Sequence, residues 1–319
     1  MATKSNNLIS QEEIENHVNS LLPDVREVLD KPEKERIKHV FTQRFIKYPK
    51  AVEILNYMEF LISSPKQIRP ECMILYGDSG TGKTSIIRQF QKMHPPTEDP
   101  LSDEDTVPVL VVETPFEPKV SMLYDKILHE IGVPYKTTEN VVLKENKIEF
   151  YVNKLGIRML ILDEFHNILN GSATQQRKVL SAIKSLTNVL RIPIVLSGTR
   201  DALIAVESED ETKRRFFPKY LPKWKKDKDF VVFLKSVEKT LPLKYPSYLW
   251  KDERIIDFLL GKTDGVLADI LKLIRHSAKK AIETGTERID YNLLRSIEFF
   301  DREYEKSLAV SYTHLTLPT

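Results

Sequence analysis

Residues 72–84 read Cys72-Met-Ile-Leu-Tyr76-Gly77-Asp-Ser-Gly-Thr-Gly82-Lys83-Thr84. The first five are apolar and bounded by turn signals, which predicts a short buried strand. Lys83 to about Met93 predicts a helix, closed by His94-Pro95-Pro96 because proline cannot continue one. Between the two, the chain satisfies G-x-x-x-x-G-K-[ST] in the strand–loop–helix setting that motif requires. Glycine is scarce, ten in the whole chain, yet Gly77, Gly80 and Gly82 fall within six positions. Glycines allow positive φ and close backbone approach, so consecutive N–H groups converge on an anion. On this reading Gly77, Asp78, Ser79, Gly80, Thr81, Gly82, Lys83, Thr84 and Ser85 cradle the phosphates of a nucleotide. The helix N-terminus adds partial positive charge, Lys83 reaches the β- and γ-phosphates of ATP, and the Thr84 hydroxyl ligates Mg²⁺.

Outward from this stretch, strand and helix patterns alternate. Asn7–Ser64 is rich in helix formers, with Val52, Leu55, Met58, Leu61 and Ile62 at helical spacing. Val107–Glu113, Arg158–Leu162 and Ile192–Ser197 predict further strands, and Ser121–Ile131, Ile148–Leu155 and Gln176–Leu190 predict helices. Such alternation implies an α/β fold with a parallel sheet covered by helices. After Lys239 the strand signal disappears; Arg254–Leu260, Val266–Ala281 and Tyr291–Leu308 are helical patterns, a small all-helical second domain. Ser311–Thr319 carries no charged residue and no periodicity, and is expected to be a tail of non-native origin.

Composition narrows the function classes. With 41% hydrophobic and 29% charged residues in 319 positions, the chain is globular rather than disordered. No run approaches the roughly 18 apolar residues needed to span a bilayer, so no membrane partner is expected. The first residues contain no apolar secretory core. Cys72 is the only cysteine, which excludes an internal disulfide and points to a reducing compartment, the cytoplasm. Net charge is +2, so any nucleic-acid binding must come from a local patch. One basic stretch, Lys213–Lys239, holds ten Lys/Arg against three Asp/Glu.

Three further segments carry chemistry. Met159-Leu-Ile-Leu-Asp163-Glu164 is an apolar strand ending in two carboxylates. Asp163 is placed to hold Mg²⁺ through water, and Glu164 to polarise the attacking water as a base. Ile194-Val-Leu-Ser-Gly-Thr199-Arg200 is a strand with a polar tip, where ligands sit in parallel sheets; Thr199, with Ser197 as the alternative, is placed to orient that water. Lys213-Arg214-Arg215-Phe216 is either a surface cluster or an arginine offered to a neighbouring subunit's nucleotide, a contribution of roughly 10³–10⁵ in rate.

Together these segments resemble an AAA+ ATPase, and more narrowly the TniB family, ATP-dependent target-selection regulators of transposons related to TnsC and MuB proteins. The resemblance covers roughly residues 35–305. It rests on Pro49-Lys-Ala-Val-Glu53, the phosphate loop, Asp163-Glu-Phe-His-Asn-Ile-Leu169, Gly171-Ser-Ala-Thr-Gln-Gln-Arg177, Arg191-Ile-Pro-Ile194, Gly198-Thr-Arg200, Arg215-Phe216, Leu221-Pro-Lys-Trp224 and Leu241-Pro-Leu243. It implies an N-terminal helical extension over 1–35, an AAA+ core over 36–240, and a helical lid over 241–310. It also implies a homo-oligomer, ring or filament, that assembles on duplex DNA when ATP binds and comes apart on slow hydrolysis. Its partners would be a DDE transposase and a target-selector adaptor. By position, Arg215 is the trans-acting finger, with Arg214 as the alternative. The segments that contact the DNA backbone in related filaments correspond to Lys119, Lys136 and Thr137, with Lys144 and Lys147 nearby. The pattern departs at the lid, where Gly265-Val-Leu-Ala-Asp-Ile270 lacks the usual second-sensor arginine and the first candidate is Arg275. Two other readings share parts of this pattern: a helicase-loader or replication-initiator ATPase, and a nucleotide-dependent signalling scaffold without DNA.

Overall fold

In the computed structural model, which describes residues 10–97 and 106–297, the apolar run of the opening stretch becomes the second-from-edge strand of a parallel sheet. The chain begins with three short helices, α1 (Gln11–Ser20), α2 (Pro23–Val28) and α3 (Glu33–Val40). Then follow α4 (Pro49–Ser63), β1 (Cys72–Tyr76), α5 (Lys83–Met93), β2 (Val109–Glu113), α6 (Val120–Ile131) and α7 (Val141–Lys154). After β3 (Met159–Asp163) and a 3₁₀ turn over Phe165–Asn170 come α8 (Ala173–Leu190), β4 (Ile194–Gly198), α9 (Arg200–Glu207), α10 (Asp210–Lys213) and β5 (Phe216–Tyr220). The last described helices are α11 (Lys228–Glu238), α12 (Glu253–Thr263), α13 (Leu267–Glu283) and α14 (Tyr291–Arg295). The tail 311–319 and the end of the helix expected over Tyr291–Leu308 lie outside the described residues.

The five strands run parallel in the order β2-β3-β4-β1-β5. The inner strands are buried along almost their whole length, and apolar up to their carboxyl ends, because helices cover both faces. On one face Cys72, Ile74, Leu160, Leu162, Ile194 and Leu196 pack with residues of α6, α7 and α8. Burial pushes the Cys72 thiol up to about 12, which leaves it an inert core residue. The loop before α8 is fixed by a reciprocal cap. Ser172 N donates to Gln175 Oε1 at 2.9 Å while the Ser172 hydroxyl accepts from Gln175 N. Gln176 Nε2 donates to Gly171 O at 2.9 Å. Much of the Gly171–Arg177 signature is therefore helix-start architecture.

One expectation changes. The basic stretch Lys213–Lys239 contains β5 and α11, neither of which stands out in the sequence. Pro218 and its lysine and arginine neighbours disguise β5, yet an edge strand tolerates proline because one row of its N–H groups is unpaired. In α11 the lysines occupy the outer face, while Phe230, Phe233, Leu234 and Val237 are buried. By its internal packing the chain divides into two compact units, one Pro49–Pro222 and the other joining Met1–Tyr48 to Lys223–Thr319. Within that second unit Trp224 stacks on Phe233 at 4.5 Å and meets Tyr48 edge-on at 5.0 Å. Arg36, nearly fully buried, pairs with Glu287 and donates to Pro242 O. The Glu238 carboxylate accepts from the N–H groups of Ser247, Tyr248 and Leu249 at 2.8–3.1 Å. The Arg36 and Tyr48 contacts tie α3 and the segment that follows it to the last third of the chain.

Candidate nucleotide-binding site

The loop between β1 and α5 is shaped by backbone constraints before any side chain is considered. Gly82 lies at φ +103° and Gly80 at φ +76°, positions that L side chains rarely adopt. Gly77 is needed for a different reason: a Cβ there would sit 2.3 Å from the carbonyl oxygen of Leu221. No side chain caps the N-terminus of α5, so its first N–H groups are offered to an anion. The Lys83 ammonium, largely buried, donates to the carbonyl oxygens of Gly77 and Asp78 at 2.8 and 2.9 Å. Burial lowers its pKa, an effect opposed by the charges of Glu164, Asp163 and Asp78. Thr81 braces the turn by donating to Asp78 O at 2.8 Å. Ser79 and Ser85 are exposed beside it.

The carboxylates of β3 arrive at this loop. Thr84 Oγ1 donates to Asp163 Oδ2 at 2.9 Å, and Asp163 Oδ1 accepts from Glu164 N at 2.9 Å. This puts two hard oxygen donors side by side, which fits Mg²⁺, a cation held by one or two protein oxygens plus phosphate and water. Among the described residues no cluster of three His, Cys, Asp or Glu could hold a metal by itself. Glu164 takes a left-handed conformation, φ +52°, uncommon for a residue with a side chain. Its carboxylate meets His166 Nε2 at 3.3 Å, a neighbour that sequence reasoning gave no role.

Thr199 follows β4 and stands half-buried at the start of α9, with no capping bond from its hydroxyl. Ser197 is fully buried, and its Oγ has no partner among the described residues. Both belong to the carboxyl edge of the sheet, as do the phosphate loop and Asp163–Glu164.

Arg214 and Arg215 belong to the opposite edge. Phe216 is in register with Cys72, so Arg215 precedes the strands where Gly77 follows them. A five-residue strand spans about 16 Å at roughly 3.3 Å per residue, beyond the reach of an arginine side chain. Arg215 Nη1 donates to Thr187 Oγ1 and to Asn188 Oδ1, the latter at 2.9 Å, while Arg214 is exposed. Both line a cleft of about 800 Å³ with Gln67, Arg69, Lys184 and Asn188.

The residues named for DNA divide. Lys119, Lys136 and Thr137 are exposed, Lys119 beside Glu117. Lys147 is partly exposed and bonded to both Glu139 oxygens at 2.8 and 2.9 Å. Lys144 is a correction: it is completely buried, paired with Asp125 at 2.7 Å, and bonded to Ser121 Oγ and Thr137 O. All its donors serve the α6–α7 junction, so it has nothing to offer a phosphate backbone. Arg275, the second-sensor candidate, is a half-buried residue of α13 lining a small cavity with His39, Thr42, Arg44 and Thr240. Burial lowers its pKa.

Comparison with protein families matches residues 36–226 to "Bacterial TniB protein". The chain belongs to the TniB family. Solved structures supply the fold class. The ORC2 protein of Aeropyrum pernix, in ADPNP–ADP complexes, superposes with a TM-score of 0.57 at 17% identity, over 81% of this chain and 70% of that one. Cdc6p of Pyrobaculum aerophilum gives 0.56 at 17%, over 78% and 67%. The ORC1 protein of Aeropyrum pernix in complex with DNA gives 0.55 at 15%, over 88% and 72%. This TniB-family chain therefore has the α/β AAA+ fold. No curated protein matches it. No helix among the described residues is long and apolar enough to cross a membrane.

Proposed function

We propose that this TniB-family protein is an Mg²⁺-dependent ATPase that assembles with copies of itself on duplex DNA. In that state it recruits or activates a DDE transposase at a target presented by an adaptor. The observation that carries the ATPase reading is the junction of the phosphate loop with β3, where Thr84 bonds Asp163 and Glu164 comes next. Lys83 and the α5 N-terminus would bind the phosphates, and Thr84 with Asp163 would hold the metal, which neutralises charge on the phosphate oxygens. Glu164 would take the proton of the attacking water, and Thr199 would orient that water. Arg215, at the far edge of the sheet, would act on the nucleotide of a neighbouring copy.

Family membership supports the transposition reading. Exposed Lys119 and Lys136 with Thr137 would contact DNA phosphates rather than bases, so binding would be weakly sequence-specific and strongly salt-dependent. The test is binding to random-sequence duplex DNA by anisotropy, with ATP, ADP or a slowly hydrolysed ATP analogue at two salt concentrations, with sedimentation of the same samples. Tight, salt-sensitive, length-dependent binding with triphosphate alone is expected. Absence of DNA binding in every nucleotide state would favour the scaffold reading.

A further inference from the structure

We propose that His166 is a positioning residue for Glu164, holding its carboxylate through the polar contact that its Nε2 makes with Glu164 Oε2. The inference rests on the reading of Glu164 as the base and adds a residue that this reading does not supply.

Three observations converge. The first is the contact: His166 Nε2 lies 3.3 Å from Glu164 Oε2, across a turn only two residues long. The second is the ring's other nitrogen. His166 Nδ1 is buried and has no hydrogen-bond partner among the described residues. A proton on Nδ1 would bury an N–H with no acceptor, whereas a bare Nδ1 leaves only an acceptor unfilled. The hydrogen therefore belongs on Nε2, the nitrogen that faces the carboxylate. The third is the backbone. Glu164 at φ +52° begins the 3₁₀ turn, and Asn167 N donates back to Glu164 O at 3.0 Å. Asn167 Nδ2 ties the same turn to Thr114 O at 3.0 Å. Gly198 lets the turn approach β4, since a Cβ there would lie 3.2 Å from His166 N. The turn places the imidazole beside the carboxylate, and the imidazole limits the rotamers of a side chain that is otherwise partly exposed.

A base held in one orientation accepts a proton from a fixed direction, and a freely rotating one spends time elsewhere. Removing the imidazole should therefore reduce turnover and leave nucleotide affinity alone. His166→Leu keeps volume and removes the donor; His166→Gln returns an N–H at similar reach. We expect His166→Leu to lower kcat about 10-fold or more, with KM and ATP-analogue affinity unchanged, and His166→Gln to recover most of the rate. In a Glu164→Gln background, His166→Leu should change the residual rate little, because the two residues act as a unit. Parental kcat in His166→Leu, no recovery in His166→Gln, or an equal loss in the Glu164→Gln background would each overturn the proposal.

A second measurement does not depend on turnover. In the ¹⁵N-histidine-labelled full-length chain, assigned by loss of one ring in His166→Gln, the imidazole proton should reside on Nε2, and Glu164→Ala should shift the Nε2 resonance. A proton on Nδ1, or an Nε2 resonance indifferent to Glu164→Ala, contradicts the inference. A chain that binds ATP without hydrolysing it would refute the ATPase reading and still let this spectrum decide about His166.

Discussion

The two edges of one sheet are built in opposite ways. At the carboxyl edge Lys83, Thr84, Asp163 and the loop carbonyls satisfy one another within 3 Å, and glycine backbone sets the geometry. At the amino edge Arg214 is exposed, and Arg215 reaches only the side chains of Thr187 and Asn188 beside an open cleft. Under the proposed function, the first edge would be the phosphate-binding half of a site. The second sets Arg214 and Arg215 out from the strand starts beside that cleft. On the function proposed above, the difference teaches that this chain carries two halves of a catalytic arrangement that one copy cannot close on itself.

The comparison can be broken most severely at Lys83. Lys83→Ala should abolish detectable ATP binding by calorimetry; normal affinity would detach the carboxyl edge from nucleotide altogether. Next comes Glu164→Gln, expected to lower turnover by about 10²–10⁴ while ATP still binds, and to prolong the assembled state in sedimentation. Parental turnover would remove Glu164 as the base. A smaller effect, on stability, is expected from Gly77→Ala. Its methyl group would meet the Leu221 carbonyl and force β5 and the loop apart, which costs about 1–3 kcal/mol, read as a lower unfolding midpoint.

The smallest effect belongs to the other compact unit. Burial and the Arg44 charge lower the pKa of His39 despite Asp24, and burial with Lys272 and Lys279 lowers that of His276. Below about pH 6.5 the unfolded chain takes up protons that the folded one resists. Stability should therefore fall as pH drops through that value, and a His39→Gln, His276→Gln variant should show a flatter thermal-unfolding profile.

How legible each edge was in the sequence follows from the same contrast. The phosphate loop and Asp163–Glu164 are local patterns, because the spacing of consecutive residues sets where phosphate and metal donors fall. The glycines, the apolar strands and the amphipathic helices announced themselves for that reason. The amino edge is assembled from residues 67–71, 184–188 and 211–215, and no local pattern links them. β5 hid behind Pro218 and a run of charge, and α11 behind its own lysines. Lys144 enters the DNA set only through its nearness in sequence to Lys136, and its partner Asp125, which explains its burial, lies in the preceding helix. His166 stood in plain view two residues after Glu164, but its value depends on a left-handed turn that the sequence does not spell out.

The central claim is that the two edges serve nucleotides in different copies. It is tested most directly by mixing Arg215→Ala with Lys83→Ala protein on duplex DNA and following ATP hydrolysis. Arg215→Ala retains an intact carboxyl edge and Lys83→Ala an intact arginine, so each mixture can form a complete site across a junction. Each variant alone should be nearly inactive, with Arg215→Ala slowed about 10³-fold, and mixtures should regain activity with a maximum at intermediate ratios. Mixtures no more active than the sum of their parts at every ratio would contradict the account.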